Sequence, residues 1–392
     1  MKSVWAGIHR TVAGIGVAAV LAVGTAAYAD PGVSPDKIVF GQAAALEGPA
    51  SALGTGMQLG IKAAFAAANA KGGVKGRKLE LISYDDSYEP DKSIRAVTKL
   101  INEDKVFALI GPVGTPTSKA TQPIATKEKV PFIGPFTGAG FLRNFDLGNI
   151  VNVRATYAAE TEAWIKHLTE DLGHKKIAIL YQDDAFGRVG LKGVTAALKK
   201  RNMELVAKGT YMRNTTAVKR ALLEIRKAKP EAVVMVGAYK PIAAFIKYSR
   251  RIKFNPAFVN ISFVGSKALS KELGKDGKDV IISQVVPFPW ETSIPLVKEY
   301  QDALKAVDPK AEPGFVSLEG YMVGKLTTMV LSKMDGEVTR ESFLKTVWDT
   351  GTFDLGGITL KFGPGDNQGM DAVFMTQINE DGSFRAVDKL AM

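Results

Sequence analysis

From Pro35 onward the chain alternates short β-rich runs with amphipathic helical stretches, and this rhythm constrains the fold more than any other feature. The runs are Lys37–Ala43, Lys78–Tyr84, Phe107–Ile110, Val130–Ile133, Ile177–Tyr181, Ala232–Val236 and Val280–Val285. Between them apolar residues return every three or four positions, the period of one helix face. Met57, Ile61, Ala64, Phe65 and Ala68 make one such face, stopped by Gly72-Gly73. Tyr157, Thr161, Trp164, Ile165, Leu168 and Leu172 make another, stopped by Gly173. Strand, helix and strand in succession predict parallel sheet with right-handed crossovers. Near the C-terminus the rhythm changes. There Ile358–Phe362 and Ala372–Ile378 flank Gly363-Pro364-Gly365-Asp366 and read as an antiparallel pair.

With 392 residues and roughly 150 per domain, the pattern predicts an α/β chain of two doubly wound parallel-sheet lobes. No long linker interrupts the alternation, so the lobes must be joined by short crossings. Three are expected, near Val153–Thr156, Val285–Pro289 and Asp349–Phe353. This gives lobe one as residues 30–154 plus 286–350, and lobe two as 155–285 plus 351–392. Ligands of such folds sit outside the carboxyl ends of parallel strands. The cleft between the lobes is therefore where function is expected.

Residues 1–29 read as an export signal. Lys2 and Arg10 give a positive start, Thr11 to Ala27 carries no charge, and Ala27-Tyr28-Ala29 is a small-x-small cleavage pattern, with cleavage expected after Ala29. A retained membrane anchor is the alternative, but the apolar run falls short of the roughly 20 residues needed to span a bilayer. There is no cysteine, which excludes disulfides, a thiol nucleophile and a lipid-anchored terminus. Only His9, His167 and His174 are present, so no histidine metal site is expected. Removing Lys2 and Arg10 takes two charges from a net +11 that is otherwise dispersed, with short clusters at Lys199–Arg201 and Lys247–Arg251. That reads as a solvated basic face of an exported protein rather than a nucleic-acid surface.

Familiar catalytic signatures are missing: there is no G-x-S-x-G, H-E-x-x-H or G-x-x-x-x-G-K-[ST]. Gly54-x-Gly56-x-x-x-Gly60 has the wrong spacing for a dinucleotide loop and reads as a turn into a helix. Asp85-Asp86 and Asp183-Asp184 follow strands, where carboxylates cap the next helix. Acid–base work by these pairs is the rival reading. A stronger signal is Gly111-Pro112-Val113-Gly114-Thr115-Pro116-Thr117-Ser118, between a strand and a helix. Thr115 is expected as N-cap, Pro116 as the first helical residue, and the unpaired N–H groups at the dipole's positive end as a carboxylate site. The design recurs in Gly134-Pro135-Phe136-Thr137-Gly138-Ala139-Gly140 on the neighbouring strand.

Those two loops, with Val153-Arg154-Ala155-Thr156-Tyr157, Tyr181–Gly187, Val286–Pro289 and Ser317-Leu318-Glu319-Gly320-Tyr321, resemble the substrate-binding proteins of branched-chain-amino-acid-type ABC transporters. The likeness spans almost the whole mature chain. It implies the type I periplasmic binding fold, closure of two lobes on a small ligand, and delivery to an inner-membrane ABC permease, without a cofactor or catalysis. Carried over, the carboxylate-binding loops fall on Gly114-Thr115 and Phe136-Thr137-Gly138, with Phe186 and Tyr239 on the opposite wall. Leu53 stands where the leucine/isoleucine/valine binder has a tyrosine, and Phe288 or Trp290 could line the ligand's body.

One departure bears on specificity. The glutamate that holds the ammonium in the family's amino-acid binders is replaced by Ser262, which cannot neutralise a buried cation. The expected ligand is therefore a small carboxylate with an apolar or aromatic body, bound in an open, amide-lined mouth. A standard amino acid is the alternative, with Glu319 a candidate partner for its ammonium. A secreted enzyme or a receptor's ligand sensor are the rivals from other classes. A periplasmic monomer is the expected form.

Overall fold

A computed structural model describes residues 1–3 and 30–391, so the expected export signal lies almost wholly outside the described residues. The chain opens with β1 (Lys37–Ala44), α1 (Ser51–Ala70), β2 (Lys78–Asp85), α2 (Pro90–Asn102), β3 (Ala108–Ile110), α3 (Thr115–Lys127), β4 (Phe132–Ile133) and β5 (Ile150–Val151). These strands form a parallel sheet in the order β2-β1-β3-β4-β5. The chain then crosses into α4 (Tyr157–Lys166), β6 (Ile177–Gln182), α5 (Ala185–Lys199), β7 (Ala207–Tyr211), α6 (Lys219–Lys227) and β8 (Ala232–Val236). α7 (Tyr239–Arg251), β9 (Ala257–Asn260), α8 (Ser266–Leu273) and β10 (Ile281–Gln284) complete that half. It returns through α9 (Pro295–Val307), α10 (Phe315–Lys333) and α11 (Arg340–Thr350), then adds β11 (Thr352–Asp354), β12 (Thr359–Lys361), β13 (Phe374–Ile378) and β14 (Phe384–Ala386).

The second sheet runs β14-β13-β10-β9-β8-β6-β7. Its interior strand β8 reads Ala-Val-Val-Met-Val with every residue buried, because helices cover both faces of a parallel sheet. Lobe one is closed by α1 lying against α10. A Cβ on Gly60 would come within 2.0 Å of the Ser317 carbonyl oxygen, and one on Gly320 within 2.4 Å of the Met57 oxygen. Only glycine allows the two backbones to approach so closely.

Two expectations near the C-terminus are corrected. The 358–362 run does not pair with the 372–378 run. β12 pairs with β11, whereas β13 joins β10 antiparallel, with Ile281 opposite Gln377. The third crossing also lies later than Asp349–Phe353. The Leu296 N–H donates to Gly356 O at 2.9 Å, the Lys361 N–H to Gly369 O at 2.8 Å and the Asn152 N–H to Asn367 O at 2.8 Å. Residues 351 to about 370 thus stay with lobe one, and the chain enters lobe two only at β13. The Gly-Pro-Gly turn misled because it makes its own local bridge, Gly363 to Asp366, without bringing the flanking runs together.

Candidate functional site

The loop leaving β3 turns at Gly114, whose φ of 105° lies in a region side chains rarely adopt. Gly114 is itself the N-cap, and α3 begins at Thr115, so the expected capping by the Thr115 hydroxyl does not occur. That hydroxyl instead shares a 2.7 Å hydrogen bond with the Thr137 hydroxyl from the neighbouring loop. The amide-lined wall is corrected too. The Gly114 N–H donates to Phe136 O (3.3 Å), the Phe136 N–H to Pro112 O (2.8 Å) and the Thr137 N–H to Pro135 O (2.7 Å). The paired loops thus take up three of the donors expected to face a guest, those of Gly114, Phe136 and Thr137.

Between the lobes the mouth is shut by its own side chains. Phe263 follows β9 on a single helical turn, Ser262–Val264. Its ring centre lies 5.2 Å from that of Phe136 and 5.7 Å from that of Tyr88, both in lobe one, and 4.7 Å from that of Phe186 in lobe two. Phe186 in turn meets Tyr157 at 5.4 Å. All five rings are buried. On one side of this cluster Leu53 of lobe one packs over Gly265, and the Ala52 N–H points to Tyr239 Oη at 3.4 Å. Phe288 does not join them: it packs on Trp290 and Phe315 at 5.0 and 6.0 Å, a separate group at the second crossing.

Behind the aromatic cluster lies a buried charge cluster. Arg154, at the first crossing, donates through Nη2 to Ser262 Oγ and lies 3.4 Å from Glu160 Oε1, with Nε 3.7 Å from Glu319 Oε1. Glu160 accepts from the Ser262 N–H (2.9 Å), from Ser262 Oγ (2.8 Å) and from Ser283 Oγ. Burial pushes the Glu319 carboxyl up to about 7 against the pull of Arg154, and raises Glu160 as well. Arg154 keeps its charge: burial opposes it, but Glu319, Tyr157 and Glu160 outweigh that penalty. Arg143, whose guanidinium donates to Thr137 O (2.9 Å), Ala139 O (3.1 Å) and Arg154 O (3.0 Å), is lowered to about 9 by burial.

A polar clasp closes the other end. Arg213, past β7, reaches Glu89 of lobe one, and Asn214 Nδ2 donates to Glu89 Oε1 at 2.7 Å and to Ser87 O at 3.0 Å. Open space remains on two flanks. A crevice of about 650 Å³ runs between Thr115, Lys119 and Gly138 of lobe one and Arg188, Val189 and Lys192 of α5. A smaller one of about 320 Å³ lies between α1, α8 and the start of α10. Three of the four acidic-pair carboxylates are tied into local structure, while Asp183 pairs with Arg188 on the surface. Asp85 accepts from the N–H groups of Leu46, Glu47 and Ser87, Asp86 from Tyr88 N–H and Ser93 Oγ, and Asp184 caps α5 at Phe186 N–H.

The periplasmic binding protein family profile matches residues 37–383. The chain belongs to that family. The Leu/Ile/Val-binding protein of Citrobacter freundii is 23% identical to this periplasmic binding protein over 272 residues, which cover 69% of this chain and 73% of the other. The Leu/Ile/Val-binding protein homolog 7 of Brucella suis is 24% identical over 343 residues, 84% of each chain. The crystal structure of a possible leucine/isoleucine/valine-binding protein from Rhodopirellula baltica superposes with a TM-score of 0.86 at 38% identity, covering 90% of this chain and 96% of the other.

Sequence reasoning brought Phe136, Thr115, Thr137, Phe186, Tyr239, Leu53 and Ser262 to one interlobe region of this binding protein. It missed Tyr88, Phe263 and Glu160. Glu160 sits one turn before Trp164 on the buried face of α4, and an acidic residue on that face was the signal available.

Proposed function

We propose that this periplasmic binding protein is the solute-binding component of an ABC importer. It is exported by residues 1–29, works as a monomer without cofactor, and hands a small carboxylate-bearing solute to an inner-membrane permease. The observation that carries this reading is the buried cluster of Tyr88, Phe136, Phe186 and Phe263. Its rings come from both lobes, with Phe136 and Tyr88 meeting Phe263 across the cleft, beside the hydroxyls of Thr115 and Thr137. Aromatic walls suit an apolar body, and the neighbouring cationic and hydroxyl donors suit an anion. Closure then does the selecting, because a solute shifts a two-state equilibrium only through contacts made in one state and not the other.

A second reading, a branched-chain amino acid as ligand, is favoured by Glu160 beside Ser262 and by the names of the relatives. Against it, the oxygens of Glu160 already accept from Ser262 and Ser283 and face Arg154. Titration calorimetry on refolded, ligand-stripped protein separates the readings. Phenylacetate, 4-methylpentanoate and L-leucine are the probes, with a mass spectrum of whatever co-purifies from the native preparation. Binding of an acid, recovered unchanged, supports the proposal. L-leucine bound in preference to 4-methylpentanoate supports the second reading, and silence from every probe together with no co-purified solute ends both.

A further inference from the structure

We infer that the solute's carboxylate is anchored by Arg154, with Tyr157 as a second donor, rather than by the backbone amides of the two small-residue loops. This inference rests on the proposed function and names its recognition chemistry. Arg154 is fully buried, yet its Nε and Nη1 have no hydrogen-bond partner. A guanidinium carries five N–H donors in a fixed fork. Nη2 is taken by Ser262 Oγ and, at 3.4 Å, by Glu160 Oε1, but Glu319 stands 3.7 Å from Nε, beyond hydrogen-bond reach, and Nη1 has no acceptor. Glu160 is held in place by serines of lobe two, so it balances the charge of Arg154 and reaches Nη2 but leaves Nε and Nη1 free.

Tyr157 Oη is also buried without a well-aligned partner, with the Thr137 hydroxyl and the Gly138 N–H nearby. It belongs to the same wall, since the guanidinium carbon of Arg154 lies 5.6 Å from the Tyr157 ring centre and 4.9 Å from that of Phe136. Phe136 and Tyr157 each pack into the cross-lobe aromatic cluster, through Phe263 and Phe186 respectively. The unpaired donors thus stand beside buried aromatic rings that come from both lobes. Orphaned buried donors are costly and rare. A carboxylate oxygen supplies the acceptor that a free Nη1 or Nε lacks, while the solute's body lies against the rings. A dicarboxylate fits less well, because a second anionic group near the first would meet the Glu160 carboxylate. The ligand class is a monocarboxylate with an aryl or branched alkyl body.

The test compares phenylacetate with phenylacetamide, and 4-methylpentanoate with its amide, by calorimetry on wild type, Arg154→Lys and Tyr157→Phe. Wild type should prefer the acid by at least about tenfold. Arg154→Lys, which keeps charge but loses the guanidinium's directed donors, should weaken the acid by about 10- to 100-fold and leave the amide nearly unchanged. Tyr157→Phe removes one O–H with its packing intact and should weaken the acid by about 3- to 10-fold. Loss of acid and amide alike would mark a merely structural role and overturn the inference. An undiminished acid preference in Tyr157→Phe overturns the pairing whether or not Arg154→Lys folds. A wild type that binds neither acid fails the parent reading, whereas acid binding with its preference intact in both variants fails only this one.

Discussion

Arg213 of lobe two places Nη2 2.7 Å from Glu89 Oε2 in lobe one, while its Nη1 holds Asp184 of its own lobe at 2.9 Å. The guanidinium therefore bridges the carboxylate that caps α5 and the residue that opens α2. The Glu89 contact exists only when the lobes are together. Both side chains are partly solvated, so the pair is worth about 0.2–1 kcal/mol, more with the Asn214 bonds that share Glu89. Arg213→Ala should weaken solute binding about 2- to 5-fold and enlarge the radius of gyration in small-angle scattering. Unchanged affinity and dimensions would show that the clasp contributes nothing to closure.

Gly265 offers a sharper test of the shut geometry. Its φ of 79° is costly for any side chain, and a Cβ there would meet Leu53 Cδ2 of the opposite lobe at 2.6 Å. Gly265→Ala should cost lobe two about 1 kcal/mol of strain. It should cost binding more, about tenfold or beyond, because the methyl also blocks closure. Calorimetry and thermal melts read the two effects separately, and a loss of stability with full affinity would contradict the closed arrangement as the binding form.

The second crossing supplies an optical reporter. Trp290 of lobe one stacks on Phe384 of β14 in lobe two, with ring centres 5.7 Å apart and planes 16° from parallel. Trp164 is buried in α4, and Trp348 packs on Phe145 and Phe362 within lobe one, so neither spans the lobes. Solute addition should change tryptophan emission, and Trp290→Phe should abolish most of that change. A signal that survives the substitution would place the moving contact elsewhere.

How much of this was legible depended on the range of the interactions. Seven of the ten strands from β1 to β10 could be read because interior strands bury both faces and helices one, a local pattern that Ala232–Val236 and Met57–Ala68 carry in full. The two-residue β5, the edge strand β7 and β9 were not named. The placement of 351–370 could not, since it rests on bonds such as Asn152 to Asn367 between residues far apart in the chain. At the site, Thr115 and Phe136 were visible as loop chemistry. Their N–H groups and hydroxyls were expected to face a guest because nothing local showed that the two loops would satisfy each other. Arg154 stood in a recognised stretch, but its role depends on Ser262, Glu160 and Glu319 converging from three elements.

The same convergence sets the pH response. The Glu319 carboxyl is pushed up to about 7 in the folded protein from an ordinary value of 4.5, with burial outweighing the attraction of Arg154 and Arg143 and the proximity of Glu160 adding to it. The folded state therefore keeps this proton where the unfolded chain has released it. Stability from this group is fully present below about pH 4.5 and is lost as pH rises through 7, by about 1–3 kcal/mol. Asp86, raised to about 6 by burial, acts with the same sign. Glu319→Gln should flatten part of the fall in melting temperature between pH 5 and 7.5 and leave the Asp86 share in place. It keeps the neutral shape and leaves Arg154 balanced by Glu160, so at pH 7.5 it should melt at or above wild type. Parallel melting curves for the two proteins across that range would remove Glu319 from the account.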